Sequence, residues 1–303
     1  MQITDTSNWT FGCEFELSDL EMTRLPMGFD RSLDEQSVVN SNGIACDKTL
    51  LLYRFGGEVL TRPSDSPESQ AEELCKLLKF HPNAKTNYRT GFHGHIRVPG
   101  LRDNLLALKQ LAKYNLENSN VLQLIDPLPK PNLDQHKGHI REAQRRYEWM
   151  MGQHQTVTLP QKVEWQLRAS STREFFDAGC MRHTKEGVPC WQWHTRPAVN
   201  IGRMRIAEEN TIEFRHFPGT INPQEVITSL NWCRDYLLAA FDGVPAVQLF
   251  NVKYANARFP TLDNIYVHWM EERWKATTSK HNKPSVIAAN INKFLKEDKC
   301  PLR

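Results

Sequence analysis

Apolar and polar residues alternate in three short segments of the chain, which is the pattern of β-strands with one buried face. In Phe11–Leu17 the apolar residues hold the odd positions, and Glu14 and Glu16 lie between them. The same alternation returns in Gly91–Pro99 and in Thr211–Phe217. The sequence therefore predicts three strands, each of which presents polar side chains on one face.

Other segments predict further strands and helices. Thr49–Thr61 predicts a pair of strands with a break at Gly56-Gly57, and Trp191–Met204 predicts another strand. Proline-rich residues 126–139 predict a loop, and helical spacing of apolar residues predicts helices over 68–80, 101–118, 140–151 and 222–241, with two more within 262–297. Strands and helices mix without a regular βαβ rhythm, so we expect an α+β fold with a mostly antiparallel sheet and helices packed on it.

The helix at 222–241 has the clearest start. Asn222 is a good N-cap, Pro223 fits the first helical position, and Glu225 stands where a capping box needs its acid. These signals fix where the helix follows the strand at 211–217.

Composition and charge narrow the class of protein. The 303 residues carry a net charge of +3, too small to argue for nucleic-acid binding by itself. No apolar run is long enough for a transmembrane helix, and the first residues show no secretory signal. The seven cysteines form no CxxC pair, so we expect a reducing, cytoplasmic compartment without a disulfide framework.

Carboxylates and imidazoles occupy the polar faces at two-residue spacing. Glu14 and Glu16 share one face, where two neighbouring carboxylates repel each other and a divalent cation would remove the repulsion. His93 and His95 share another face, a spacing that can hold a metal ion or a polyphosphate. Gly94 between them would let a cofactor approach the backbone closely.

Three more residues extend this set. Glu58 follows Gly56-Gly57, and Glu213 shares a strand face with Arg215. A carboxylate beside a guanidinium suits a metal–nucleotide complex, because the acid binds the metal and the guanidinium binds phosphate. Each segment alone is also explained by a solvated strand face or a salt bridge. Together they indicate an oxygen-rich site that favours Mg²⁺ or Mn²⁺ over zinc.

A separate group of residues could suit zinc by its order, although its spacing fits no standard zinc finger: Cys180, His183, Cys190 and His194. Structural roles for these cysteines and histidines are favoured.

The order of the motifs resembles the carboxylate–amine ligases of the glutamine synthetase fold, and more closely the amidoligase family found in bacteria and phages. The motifs are Gly-x-Glu-x-Glu at 12–16, Glu-Val before a proline at 58–63, Gly-x-His-x-His at 91–95 and x-Glu-x-Arg at 212–215. The most specific match is the run from Thr211 to Thr220 followed directly by the capped helix. Arg196 to Ile201 is similar to the strand with Arg and Asn that precedes it in the family.

The resemblance implies a glutamine synthetase-like catalytic domain over 1–245, with its own elaboration at about 126–190 and a helical extension over 246–303 packed on it. It implies that ATP phosphorylates a carboxylate and that an amine displaces the phosphate, giving an amide or isopeptide bond. The implied substrates are small molecules or peptides in the cytoplasm of a bacterium or a phage-infected host.

The resemblance also assigns residues to ATP and to Mg²⁺ or Mn²⁺. Glu16 and Glu58 would bind one metal ion, and Glu14, His93 and Glu213 would bind another. Catalytic roles would fall to Arg215, Glu58 and Arg196. Nucleotide and substrate contacts would fall to His93, His95, Arg97, Arg215 and Asn200.

Three alternatives remain at this point. The chain could be a non-catalytic module that binds nucleotide and metal, or a metalloenzyme that uses the same Glu/His set without ATP. It could also modify nucleic acid, with a basic and aromatic surface formed by Arg141, Arg145, Arg146, Tyr147 and Trp149, although a solvated amphipathic helix explains that stretch better.

Overall fold

The computed structural model describes residues 3–18, 29–31, 56–86, 90–118, 121–125, 159–179, 181–183, 189–191, 197–205 and 210–261. Its strands are β1 (Thr10–Ser18), β2 (Phe29–Arg31), β3 (Gly56–Thr61), β4 (Gly91–Arg97), β5 (Met181–His183), β6 (Pro189–Trp191), β7 (Val199–Asn200) and β8 (Ile212–Pro218). Its α-helices are α1 (Pro67–Phe80), α2 (Leu105–Glu117), α3 (Leu122–Ile125), α4 (Leu159–Arg168), α5 (Thr172–Gly179), α6 (Pro223–Asp242) and α7 (Ala246–Leu249). Short 3₁₀ turns lie at Thr6–Asn8 and Gly202–Arg205, and a π-helical turn at Phe250–Tyr254 follows α7.

An open antiparallel sheet of six strands forms the centre of the described structure, in the order β2–β3–β1–β4–β8–β7. Every neighbouring pair in it is antiparallel. β5 and β6 form a separate two-stranded ribbon. The expected mixture of an antiparallel sheet with helices is therefore confirmed.

The apolar face of the sheet is covered by α1 and α6. The alternating side chains Phe15, Phe92 and Phe214 are fully buried on it. α6 lies close to β4 because Gly94 has no side chain: a Cβ there would lie 3.0 Å from Leu230 Cδ2. Gly94 therefore serves helix packing on the apolar face, and its interpretation as a cofactor approach point is wrong.

α6 begins after Asn222 as predicted, but Glu225 does not close the predicted capping box, because the Asn222 N–H donates to Thr220 Oγ1 at 3.0 Å. Asn222 caps the helix by accepting a hydrogen bond from the Gln224 N–H at 3.0 Å on Oδ1. The Glu225 carboxylate accepts from the Thr220 hydroxyl at 2.6 Å and from Arg258 Nε at 2.8 Å. These contacts tie the end of β8 to the first turn of the helix.

Residues after α6 pack back onto it through aromatic rings. The Trp232 ring lies 5.2 Å from the Tyr254 ring and 6.3 Å from the Phe259 ring, measured between centroids. The described residues end at 261, so the two helices predicted within 262–297 lie outside them. The division at residue 245 stays a prediction.

The structure differs from the sequence prediction in the region 191–204. Among the described residues 197–205, the strand is limited to Val199–Asn200, and a 3₁₀ turn at Gly202–Arg205 follows. The strand ends because the Asn200 side chain accepts a hydrogen bond from the Gly202 N–H at 3.1 Å, which bends the chain into a turn. The prediction that the strand runs to Met204 is wrong.

Three smaller differences concern element ends. Gly56 and Gly57 belong to β3 and pair with Ser18 and Leu17 of β1, and the part of the predicted strand pair at 49–55 lies outside the described residues. α2 begins at Leu105, after Asn104 caps it, and not at Leu101. Residues 159–179 form two helices that the sequence pattern had not predicted.

Several predictions lie outside the described residues: the loop at 126–139, the helix at 140–151 with its basic residues, Cys180 and His194. Within the described part of the chain, no helix is both long enough and apolar enough to span a membrane.

Candidate functional site

The strand register brings the predicted polar residues onto one face of the sheet in three cross-strand rows. In the first row, Asn200 of β7 lies opposite Glu213 of β8, which lies opposite His95 of β4. In the second row, His93 lies opposite Glu14 of β1. Directly opposed residues of antiparallel strands point to the same face, so these side chains can touch.

The third row pairs two of the predicted carboxylates. Glu16 of β1 lies opposite Glu58 of β3. Like charges in this position destabilise a strand pair unless something compensates them. The Gly91 N–H donates a hydrogen bond to Glu16 Oε2 at 2.5 Å. Gly91 also leaves space for the site, because a Cβ there would lie 3.1 Å from both Glu16 Oε2 and His93 Nε2.

Glu14 is held between the two histidines. His93 Nδ1 donates to Glu14 Oε2 at 2.7 Å, and His95 Nε2 lies 2.9 Å from Glu14 Oε1. Only 3% of the Glu14 side chain is exposed. Burial acts to raise the pKa of Glu14, but the electrostatic attraction of His95 and the hydrogen bond from His93 outweigh it and hold that pKa well below its usual value.

Glu213 is completely buried and collects three donors. Asn200 Nδ2 donates to Glu213 Oε2 at 3.0 Å, Arg203 Nε lies 3.1 Å from the same oxygen, and Arg215 donates to Oε1. Burial acts to raise the pKa of Glu213, but the Arg215 guanidinium lowers it most strongly, so the pKa lies below its usual value. Both buried acids are therefore ionised at neutral pH.

One group of ligand atoms has the geometry of a metal site. Glu14, His95 and Glu213 each offer one atom, and these atoms all lie within 4.8 Å of one another. His95 Nε2 is buried and makes no hydrogen bond among the described residues, although Glu14 Oε1 is 2.9 Å away. Ligands at about 2.1 Å around an octahedral cation lie about 3 Å apart, so this spacing fits two neighbouring ligands of one ion.

The group differs from the predicted set in one histidine. The resemblance assigned His93 to the metal with Glu14 and Glu213, whereas His95 completes the group that the structure brings together. His93 lies next to it, with Nδ1 3.5 Å from Glu213 Oε1 and Nε2 3.9 Å from Glu16 Oε1. Its Nδ1 hydrogen bond orients the Glu14 carboxylate, as a residue behind a metal ligand does.

The remaining predicted residues have varied positions. Glu16 and Glu58 are half-buried neighbours, and within the part of the chain described here no third acid or histidine joins them in a metal-like group. Arg97 is exposed, at the end of β4 opposite Thr10. Arg196 lies outside the described residues.

Sequence reasoning missed Arg203. It belongs to the 3₁₀ turn after β7, and its NH1 lies 3.4 Å from Glu14 Oε1 while its Nε contacts Glu213. Arg203 is a single arginine in a segment predicted as strand, and nothing in that pattern indicates that it contacts the two buried acids. The Asn200-x-Gly202 sequence, which is typical of a turn, is the feature that could have placed it.

A scan against protein-family models found no match, and searches of the curated proteins and of the solved structures found no significant match. The amidoligase resemblance and the glutamine synthetase-like identity of the sheet therefore stay predictions.

Proposed function

We propose that the chain is an ATP-dependent carboxylate–amine ligase that uses a divalent cation, Mg²⁺ or Mn²⁺. The observation that supports it most is the meeting of two ionised, buried carboxylates, two imidazoles and two guanidiniums on one sheet face. The acids come from different strands, so their meeting is a property of the fold and not of one local sequence. The sequence resemblance supplies the reaction.

The cation would be held by Glu14, His95 and Glu213. Their donor set, two carboxylate oxygens and one imidazole nitrogen, suits Mn²⁺ and tolerates Mg²⁺. When bound, it would neutralise negative charge on a phosphoryl group during transfer. His93 would keep the Glu14 carboxylate in place through its 2.7 Å hydrogen bond.

The two arginines supply the phosphate-binding part of the proposal. Arg203 and Arg215 both contact Glu213, and their side chains are 30% and 18% exposed, whereas that of Glu213 is fully buried. A nucleotide phosphate can therefore reach the guanidiniums from solvent. Their movement from Glu213 to phosphate would free carboxylate oxygens for the cation, so nucleotide and metal should bind cooperatively.

The proposed reaction has two steps. A carboxylate oxygen of the acid substrate attacks the γ-phosphorus of ATP, the bond to the bridging oxygen breaks and ADP leaves. An amine nitrogen then attacks the carbonyl carbon of the acyl phosphate, phosphate leaves and the amine loses a proton. Arg215 and Arg203 would stabilise the charge on the transferred group in both steps.

Hydroxylamine trapping tests this proposal without knowledge of the amine. The full chain is incubated with ATP, Mn²⁺, hydroxylamine and a panel of small carboxylates, and hydroxamate and ADP are measured. We expect hydroxamate with at least one acid, in amounts equal to the ADP released. Glu14→Gln should form none while keeping the wild-type circular dichroism spectrum.

Two results would support other functions. Mn²⁺–ATP binding without hydroxamate or ADP across the panel would favour a non-catalytic binding module. Mn²⁺ binding without any ATP affinity would contradict the ligase proposal and favour a metalloenzyme independent of ATP.

A further inference from the structure

The 3₁₀ turn at Gly202–Arg205 sends three successive side chains in three directions. A 3₁₀ helix has three residues per turn, so neighbouring side chains lie about 120° apart around its axis. Arg203 contacts both buried acids on the sheet face, Met204 is fully buried in the core, and Arg205 reaches α5. The position of Arg203 therefore depends on what holds the residues after it.

Arg205 is held from two sides. Its NH2 lies 2.9 Å from Asp177 Oδ1 on α5, and its main-chain carbonyl accepts a hydrogen bond from Arg102 NH2 at 3.1 Å. Arg102 precedes α2, so these contacts tie the turn to two segments that are distant along the chain. α5 is itself fixed, because Phe175 and Phe176 are buried and the helix packs against α4 and the turn.

Asp177 has a second cationic partner that does not belong to the turn. Arg173 Nε lies 4.0 Å from Asp177 Oδ2, and the Arg173 side chain is 87% exposed. Since Arg173 and Asp177 are on the same helix, their contact cannot fix the turn. Of the two arginines, Arg205 is therefore the one through which Asp177 can act on Arg203, and Arg173 provides a matched control.

A fixed turn matters because an arginine side chain is long and loses conformational entropy when it is ordered. Arg203 NH1 lies 3.4 Å from Glu14 Oε1, and Arg203 Nε lies 3.1 Å from Glu213 Oε2. Contacts at Arg205 limit the positions that the neighbouring main chain can take. The guanidinium of Arg203 is thereby kept close to both acids.

We propose that Asp177 is a positioning residue, whose ion pair with Arg205 holds the 3₁₀ turn so that Arg203 stays at the two buried acids. α5 belongs to the stretch at about 126–190 that the resemblance interprets as this chain's own elaboration. This stretch would then set how readily a cation and a phosphate group displace Arg203. The effect on ligands rests on the proposed function, whereas the effect on Arg203 does not.

The first measurement follows Arg203 without any ligand. Its Nε–H signal is assigned in ¹⁵N NMR spectra of the full chain by its loss in Arg203→Gln, and its hydrogen exchange with water is measured. Asp177→Asn keeps the shape of the side chain and removes its charge, so this exchange should become about threefold faster, in keeping with one partly exposed ion pair. Asp177→Glu should restore slower exchange, and Arg173→Gln should match wild type.

Arg102→Gln examines the same turn from its other side, in case the Asp177 variants do not fold. It removes the hydrogen bond to the Arg205 carbonyl and leaves the Asp177 carboxylate in place. We expect exchange at Arg203 Nε–H to become about threefold faster here too, because one of the two contacts that fix the turn is lost.

The second measurement separates positioning from a general structural role. Mn²⁺ and a non-hydrolysable ATP analogue are titrated separately by calorimetry. Asp177→Asn should bind Mn²⁺ about threefold more tightly and the analogue about threefold more weakly, because Arg203 competes less with the cation and is less well placed for phosphate. In the Arg203→Gln background, Asp177→Asn should change neither affinity. A general structural role would weaken the binding of both ligands in both backgrounds.

The inference is overturned if Arg203 Nε–H exchanges in folded Asp177→Asn as it does in wild type, or if Arg173→Gln accelerates the exchange equally. Unchanged exchange in Asp177→Asn, together with Mn²⁺ and analogue binding to wild type, would reject this inference alone. Faster exchange in Asp177→Asn, without any binding of Mn²⁺ or the analogue to wild type, would reject the proposed function alone.

Discussion

Two regions of the molecule bury acidic side chains, and they differ in which partners contact these acids. Asp235 on α6 is 7% exposed in its side chain and has its own set of partners: Arg234 Nε at 3.0 Å, Lys253 Nζ at 3.1 Å and the Tyr254 hydroxyl at 2.9 Å. On the sheet face, Glu14 and Glu213 share Arg203 and approach the same histidines.

The comparison separates a structural acid from a candidate ligand. The partners of Asp235 come from α6 and the turn after α7, and no second buried acid competes for them among the described residues. The contacts of Asp235 stabilise the packing of the π-helical turn on α6. The sheet instead brings two buried carboxylates together. Their repulsion destabilises the folded state unless a cation or another positively charged group neutralises it.

The largest expected effect breaks the sheet site and spares the helix site. Glu213→Gln removes one of the two negative charges among the three ligands, so Mn²⁺ affinity should fall by at least about 100-fold and ATP turnover should be lost. Isothermal titration calorimetry with Mn²⁺ measures the affinity. Unchanged Mn²⁺ binding in this variant would mean that the sheet acids form only an ion-pair network.

The converse variant removes the structural acid. Asp235→Asn leaves Lys253 and Tyr254 without a charged partner, so the free energy of unfolding should fall by about 1–3 kcal/mol. Urea denaturation measures this loss, and Mn²⁺ affinity should stay at the wild-type value. A loss of Mn²⁺ binding without a loss of stability would contradict the contrast between the two acids.

Arg203 should affect metal and nucleotide in opposite directions. Its Nε is 3.1 Å from Glu213 Oε2, so Arg203→Gln removes a positive charge that competes with the cation. We expect about tenfold tighter Mn²⁺ binding without nucleotide and about tenfold weaker ATP binding. Arg168→Gln, an exposed arginine on α4, is the control. If Arg203→Gln weakens the binding of Mn²⁺ and of ATP equally, the role of Arg203 is to maintain the fold of the site.

Two glycines on β4 give the smallest and most local contrast. Gly94 faces α6, so Gly94→Ala should cost about 1 kcal/mol of stability and leave Mn²⁺ affinity unchanged. Gly91 faces Glu16 and His93, so Gly91→Ala should weaken Mn²⁺ binding about threefold and change the stability less than Gly94→Ala does. Thermal unfolding and Mn²⁺ titration of both variants test this. A loss of Mn²⁺ affinity in Gly94→Ala and a loss of stability alone in Gly91→Ala would contradict the assignment of the two strand faces.

Local patterns in the sequence were enough to predict which strands carry the site. Alternation placed Glu14, His93, His95 and Glu213 on polar faces, and the cap at Asn222 placed the start of α6. The choice between His93 and His95 depends on the strand register, which pairs His95 with Glu213. Register is set by the packing of the whole sheet, so no short segment reveals it.

Arg203 and Gly94 were not predictable for the same kind of reason. Arg203 reaches the acids because the turn at Asn200 ends β7. The sequence pattern predicted that the strand continues to Met204, so it did not indicate this turn. A side chain at position 94 would crowd Leu230. Leu230 is distant along the chain and comes close to Gly94 only when α6 packs on the sheet. Both roles arise from contacts between distant segments.

The most direct test of the central claim is a Mn²⁺ titration of the full chain followed by electron paramagnetic resonance, with and without a non-hydrolysable ATP analogue. The account predicts saturable binding that the analogue tightens in wild type and that Glu14→Gln and Glu213→Gln both abolish, while Asp235→Asn binds as wild type does. Absence of saturable Mn²⁺ binding to the folded wild-type protein in the presence of the analogue would contradict the account.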